Sequence, residues 1–161
     1  MVIVPTPAVF AGMFVLSVCG WVLVLRTVVA PRLAGLARLE RLTVLALPGC
    51  FRHVSAVLLV PGVAGPGLPG PFVGSLVVGD VLTAVLAMGA VVALRRGAAG
   101  AVALTWGFNV VGLADLLKNL IHGMSLGVAD HFGAAAFVPT MVVPLMLCVH
   151  VWSLVELSRR A

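Results

Sequence analysis

The sequence predicts an all-α bundle of five membrane-spanning helices, and three observations carry that expectation. Hydrophobic residues make up 62% of the 161 and charged residues 9%, with a mean hydropathy of +1.24. Soluble domains run at about 45–50% and about 25%. Five apolar segments reach the length of about 17–25 residues that a spanning helix needs; they cover residues 7–29, 43–60, 72–94, 98–122 and 134–157. Polar or Gly/Pro-rich punctuation separates each from the next. A chain this apolar has too few polar groups to coat a soluble surface. Its predicted setting is the lipid bilayer of the cell (inner, cytoplasmic) membrane, as one integral domain over residues 1–161.

The first span follows "MVIVPTPAVF", which has no basic stretch ahead of its apolar run. The run also outlasts a signal peptide's short apolar region, so a retained helix is expected. Arg26 lies near its inner end, where a long stem can snorkel. Next comes "PRLAGLARLERL", with Leu33, Leu36, Leu39 and Leu42 spaced between arginines. That pattern fits either a short amphipathic helix along the inner interface or a plain basic loop. The second span carries "FRH". "PGVAGPGLPGP" leads to the third, which holds Asp80, and "RRG" leads to the fourth. The fourth contains "FNVVGLADLLKNLIHG", and "GMSLGVADHFG" leads to the fifth, broken by Pro139 and Pro144. Prolines free backbone carbonyls that neighbours or hydroxyls must satisfy, and Thr140 is placed to do so. "GPFVG" and "GMSLG" have the GxxxG spacing of close helix contacts.

Direction follows from the basic residues. Arg32, Arg38 and Arg41 fall in the first connection, Arg95 and Arg96 in the third, and Arg159 and Arg160 at the C-terminus. The N-terminal tail and the second and fourth connections hold neither Lys nor Arg. The N-terminus is therefore expected outside and the C-terminus in the cytoplasm. The net charge of +5 is spread too thinly to suit nucleic acid, and no nucleic-acid motif is present. Cys19, Cys50 and Cys148 lack CxxC spacing and sit in apolar spans, as reduced thiols would. No internal repeat is visible, and an odd number of spans argues against a simple inverted duplication.

Ionisable groups inside spans are costly and point to function or to partners. Arg52, His53, Asp80 and Asn109 fall near mid-membrane at about 1.5 Å of rise per residue. Asp115, Lys118, Asn119 and His122 climb from there toward the outer face, and His150 stands in the inner half. At about 100° per residue Gly112, Asp115, Asn119 and His122 share an arc of about 80°. Asp115 and Lys118 are i,i+3 and can neutralise one another. Arg52 and Asp80 sit at similar depth on consecutive antiparallel helices. Two accounts fit them: a structural ion-pair lock, or a polar pocket open to the outside with His53 and Asp115 as its titratable members.

With "FRH", Gly79–Asp80, "FNVVGLADL" and "VPTMVVPLML…H" in view, the chain resembles a set of small bacterial multi-span membrane proteins with no established activity. The likeness runs from about Pro48 to His150 and leaves the first span outside. It implies Arg52, His53, Asp80, Asn109, Asp115, Pro139, Pro144 and His150 as features of a shared pattern.

The residues support small-ligand or proton handling at a site made of Arg52, His53, Asp80, Asn109, Asp115, Lys118 and Asn119. A second account is haem b held between His53 and His150, which lie about one turn apart in depth. A third is an accessory or structural subunit, packing as a homo-oligomer or within a larger membrane complex. HExxH, GxSxG, Cys/His metal spacing and paired carboxylates on one helix are missing from the sequence, so neither a metal site nor nucleophilic catalysis is expected.

Overall fold

The computed structural model describes residues 7–159, and its regular structure is helical throughout. Five helices are long and apolar enough to cross a membrane: α1 (Pro7–Leu33), α2 (Arg38–Leu59), α3 (Gly70–Arg95), α4 (Ala101–Leu126) and α5 (Gly133–Ser158). Arg160 and the N-terminal tail of residues 1–6 lie outside the described residues.

The amphipathic helix entertained for the first connection does not form. α1 runs on to Leu33 and α2 begins at Arg38, so that only 34–37 lie between them. Pro31 fails to stop α1 because the turn ahead of it widens, with the Ala30 N–H reaching back five residues to Leu25 O. The same device carries α5 through Pro144, where Val143 N–H bonds Val138 O. At the start of α2, Glu40 accepts the Ala37 N–H at 2.9 Å. This is one half of a capping box, since Ala37 has no side chain to complete it.

α2 is α-helical to Ala46 and then tightens into a 3-10 helix from Leu47 to Leu59. Three residues per turn stack i and i+3 directly above one another. Gly49, Arg52, Ser55 and Leu58 accordingly form one buried file. At a rise of about 2.0 Å per residue this part reaches about 26 Å, so a short apolar segment still spans a long distance. α4 keeps ordinary helical spacing. Its buried face is Ala101, Thr105, Phe108, Asn109, Gly112 and Leu116, the three-and-four rhythm of one helical stripe. It closes on Gly127 at φ +64°, the left-handed position that suits a residue without Cβ.

α2, α3 and α4 pack side by side, and α5 lies against α4 and α2. Leu42, Leu94, Ala101 and Leu157 form a cluster at one end of the bundle, and Arg32, Arg38, Arg41, Arg95, Arg96 and Arg159 gather near that end. Arg41 reaches Glu156 Oε1 at 2.6 Å and Arg38 donates to Leu157 O, tying the start of α2 to the end of α5. At the other end Leu58, Phe72, Val128 and Phe132 cluster. There the Gly65 N–H bonds His131 O at 2.8 Å and the Ala134 N–H bonds Val63 O at 3.0 Å, stitching two connections together. α1 is peripheral. It packs mainly on α5, with Leu25 in a buried cluster with Leu116 and Met146, and is pinned by the Trp21 indole N–H donating to Met141 O at 3.0 Å.

Candidate functional site

Arg52 is the hub of the interior. The 3-10 file turns it inward until 2% of it is exposed, and a buried guanidinium needs its donors satisfied. Nε donates to Asp80 Oδ1 at 2.7 Å, and Nη2 makes a second, very short contact with the same oxygen. Nη2 also meets Asp115 Oδ2 at 2.8 Å, while Nη1 donates to Gly112 O at 2.7 Å. Three helices converge on this one side chain.

From the hub a chain of contacts runs in two directions. Toward the connections at residues 60–69 and 127–132, Asp115 Oδ1 pairs with Lys118 Nζ at 3.0 Å, and Lys118 also donates to Ser75 Oγ at 3.2 Å. Lys118 is half exposed, whereas the Asp115 side chain is 9% exposed. In the opposite direction His150 Nε2 lies 3.4 Å from Arg52 Nη1, and His150 Nδ1 lies 2.9 Å from Asn109 Oδ1. Asn109 then donates to Thr105 O at 2.8 Å. Two cations face two carboxylates, so the cluster is charge-balanced.

Two glycines make the convergence sterically feasible. A Cβ on Gly79 would overlap the Asp115 carboxylate, and one on Gly112 would come within 2.6 Å of His150 Cε1. The sequence placed Gly79 and Gly112 beside the polar residues without indicating that they clear space for them.

Beside the cluster lies a cavity of about 450 Å³ between α1 and the faces of α3, α4 and α5. It exists because α1 packs mainly on α5 and, through Phe10, on Phe132. Its walls include Phe10 and Phe14 of α1, Phe72 and Leu76 of α3, Leu120 of α4 and Val143 of α5. Asp80 and Asn119 are the polar side chains of its lining. Asn119 Oδ1 is buried and accepts no hydrogen bond from the described residues, an unsatisfied state that native interiors rarely keep.

The structure thus brings together Arg52, Asp80, Asp115 and Lys118, adds His150 and Asn109, and sets Asn119 on the adjoining cavity wall. It does not bring in His53. With about 120° between successive 3-10 residues, an inward Arg52 turns its neighbour away. His53 is exposed, with Nδ1 3.0 Å from Cys50 O and its ring beside Phe51. The haem pairing fails on the same ground. His150 is 1% exposed with both ring nitrogens engaged, and neither histidine lines the cavity. This pair does not fit two axial ligands of one haem. His122 packs edge-on against Phe72 at 5.5 Å, away from the cluster.

Glu156 was missed by sequence reasoning. It is 2% exposed and pairs with Arg41 and with Arg159. The signal was available: an acid near the end of an apolar span, followed by Arg159 and Arg160.

The family described as Domain of unknown function (DUF8737) matches residues 9–158, and the chain belongs to it. The match takes in α1, which the motif likeness had left outside. No curated protein and no solved structure matches the chain.

Proposed function

We propose that this family member is a five-span membrane protein, N-terminus outside and C-terminus cytoplasmic, that binds a small ligand in the cavity beside its ion cluster. The gathering of arginines at one end of the bundle supports the orientation. The observation that carries the ligand is the cavity itself, apolar-walled with Asp80 and Asn119 as its polar side chains. Pockets of about 300–1,000 Å³ with apolar walls and a few placed polar groups are the usual form of small-molecule sites.

In this proposal the cluster has a positioning role. Arg52 holds Asp80 from α2, Asp115 holds Arg52 from α4 with Lys118 on its other oxygen, and the Asp80 carboxylate is fixed at the cavity wall. The charge balance keeps the field at the cavity small, so shape and hydrogen bonding select the ligand.

The test is native mass spectrometry of the protein released directly from its membranes. The wild type should carry a non-covalent adduct. Ala11→Trp, which projects a large ring from α1 into the cavity, should lose it while keeping the unfolding transition of the wild type. An adduct retained in full by the Trp variant, or no adduct in the wild type, overturns the proposal.

A further inference from the structure

We infer that the cavity holds one hydrocarbon chain of a bilayer lipid and leaves that lipid's head outside. This rests on the ligand-binding reading above and adds the chemical class of the ligand and its way in.

The shape of the cavity follows from the spacing of its lining. Phe72, Leu76 and Asp80 recur every four residues along α3, and Leu116, Leu120 and Met124 do so along α4. Residues at that spacing share one face of a helix and stack along its axis. The cavity is therefore a slot parallel to the helices, with Phe10 and Phe14 of α1 across from these two rows. From Leu116 to Gly127, both in the lining, it extends ~16 Å at ~1.5 Å of rise per residue. That is close to half of a hydrocarbon core about 30 Å thick. The slot has the depth of one leaflet.

Its contents follow from the walls. Among the described residues, Asp80 and Asn119 are the polar side chains of the lining, and every other position is apolar or glycine. Both stand toward the deep end, and one Asp80 oxygen is already taken twice by Arg52. A buried water needs about two to four polar partners, which the phenylalanines and leucines along the rest of the slot do not supply. An empty slot would cost the same walls their dispersion contacts. Hydrocarbon satisfies them, and a polar head finds no partners along the slot.

The way in follows from exposure. Phe10 rests on Phe132 with ring centroids 5.8 Å apart, which closes the slot between α1 and the start of α5. Leu25, Leu116 and Met146 close its deep end. Val15 and Met124 line the slot, yet they are 58% and 74% exposed. The open side therefore lies between α1 and α4. In a five-span protein that side faces lipid, and a chain enters through it while its head stays at the interface.

The experiment uses the full chain in phosphatidylcholine nanodiscs doped with a phosphatidylcholine that carries a diazirine at the end of one chain. A second preparation carries the same photoreactive chain on phosphatidylglycerol. After irradiation, adducts are mapped residue by residue by mass spectrometry. Val78 and Ile121, exposed and outside the lining, report ordinary lipid contact, and fully buried Leu42 reports background. Leu76, buried from lipid outside the slot, and Leu120 should be labelled clearly above the Leu42 level, by both lipids alike. Ala11→Trp should drop both to that level and leave Val78 and Ile121 unchanged. If that variant folds poorly, the wild-type labelling of Leu76 decides by itself. Leu76 and Leu120 at the Leu42 level in the wild type would overturn the chain assignment. A native adduct that Ala11→Trp removes would then still uphold the ligand reading, whereas no adduct would overturn both. Slot labelling by one lipid and not the other would refute a head left outside.

Discussion

Replacing Arg52 with methionine removes the guanidinium while keeping most of the stem's length and apolar volume. Asp80 then loses the two contacts that Arg52 makes with it. Asp115 loses its one contact with Arg52 but keeps Lys118 Nζ, 3.0 Å from its other oxygen. One carboxylate is stranded and one is not. The expected loss is that of a single orphaned buried charge, about 3–5 kcal/mol. Asp80→Asn works from the opposite side. Arg52 keeps Asp115 at 2.8 Å and Gly112 O at 2.7 Å, so the loss is nearer one charge-assisted bond, about 1.5–3 kcal/mol. Arg52→Met combined with Asp80→Leu removes both members, and should be less destabilising than Arg52→Met alone. Unfolding titrations in mixed micelles, followed by far-ultraviolet circular dichroism, give all three values. Strict additivity, or an Asp80→Asn loss equal to that of Arg52→Met, would refute the hub geometry.

Three further outcomes are expected. A reporter active only in the cytoplasm, fused after Ala161, should give signal; silence with good expression would reverse the proposed orientation. Gly79→Ala should cost about 1–3 kcal/mol through overpacking against Asp115, whereas Gly74→Ala, where a Cβ meets nothing within 4 Å, should cost far less; the same unfolding assay compares them. Glu156→Gln should weaken the tie between the start of α2 and the end of α5, seen as faster amide exchange in residues 38–42 and 154–158, with α4 unaffected.

Much of this architecture was legible in the sequence because bilayer thickness imposes a length on apolar runs. The residues Arg52, Asp80, Asp115 and Lys118 were legible too, since a charge in such a run needs a partner at its own depth. What escaped depended on local backbone form. His53 was grouped with Arg52 on adjacency, but the tighter winding of α2 separates their directions. The arginines of the run from Arg38 look interfacial in the sequence, yet Arg41 and Glu156 satisfy one another at the helix ends. Gly112 was placed on the polar arc, but its role as the space occupied by His150 needs two helices in register. The expected pocket was polar, with His53 and Asp115 in it; the cavity found is apolar and walled by α1, whose packing mainly on α5 has no signal in the sequence.

That docking has a consequence for how the molecule is assembled. Trp21 and Met141 are separated by 120 positions, and α1 has its packing surface on the last helix of the chain. Helices α2 to α4 meet neighbours close in sequence and can associate as they emerge, whereas contacts between distant segments form late. During synthesis α1 must therefore wait, without its protein partner, until α5 has been made. The cavity is then the last feature of the protein to be built, and a chain truncated before α5 would retain the three-helix ion cluster but have no cavity.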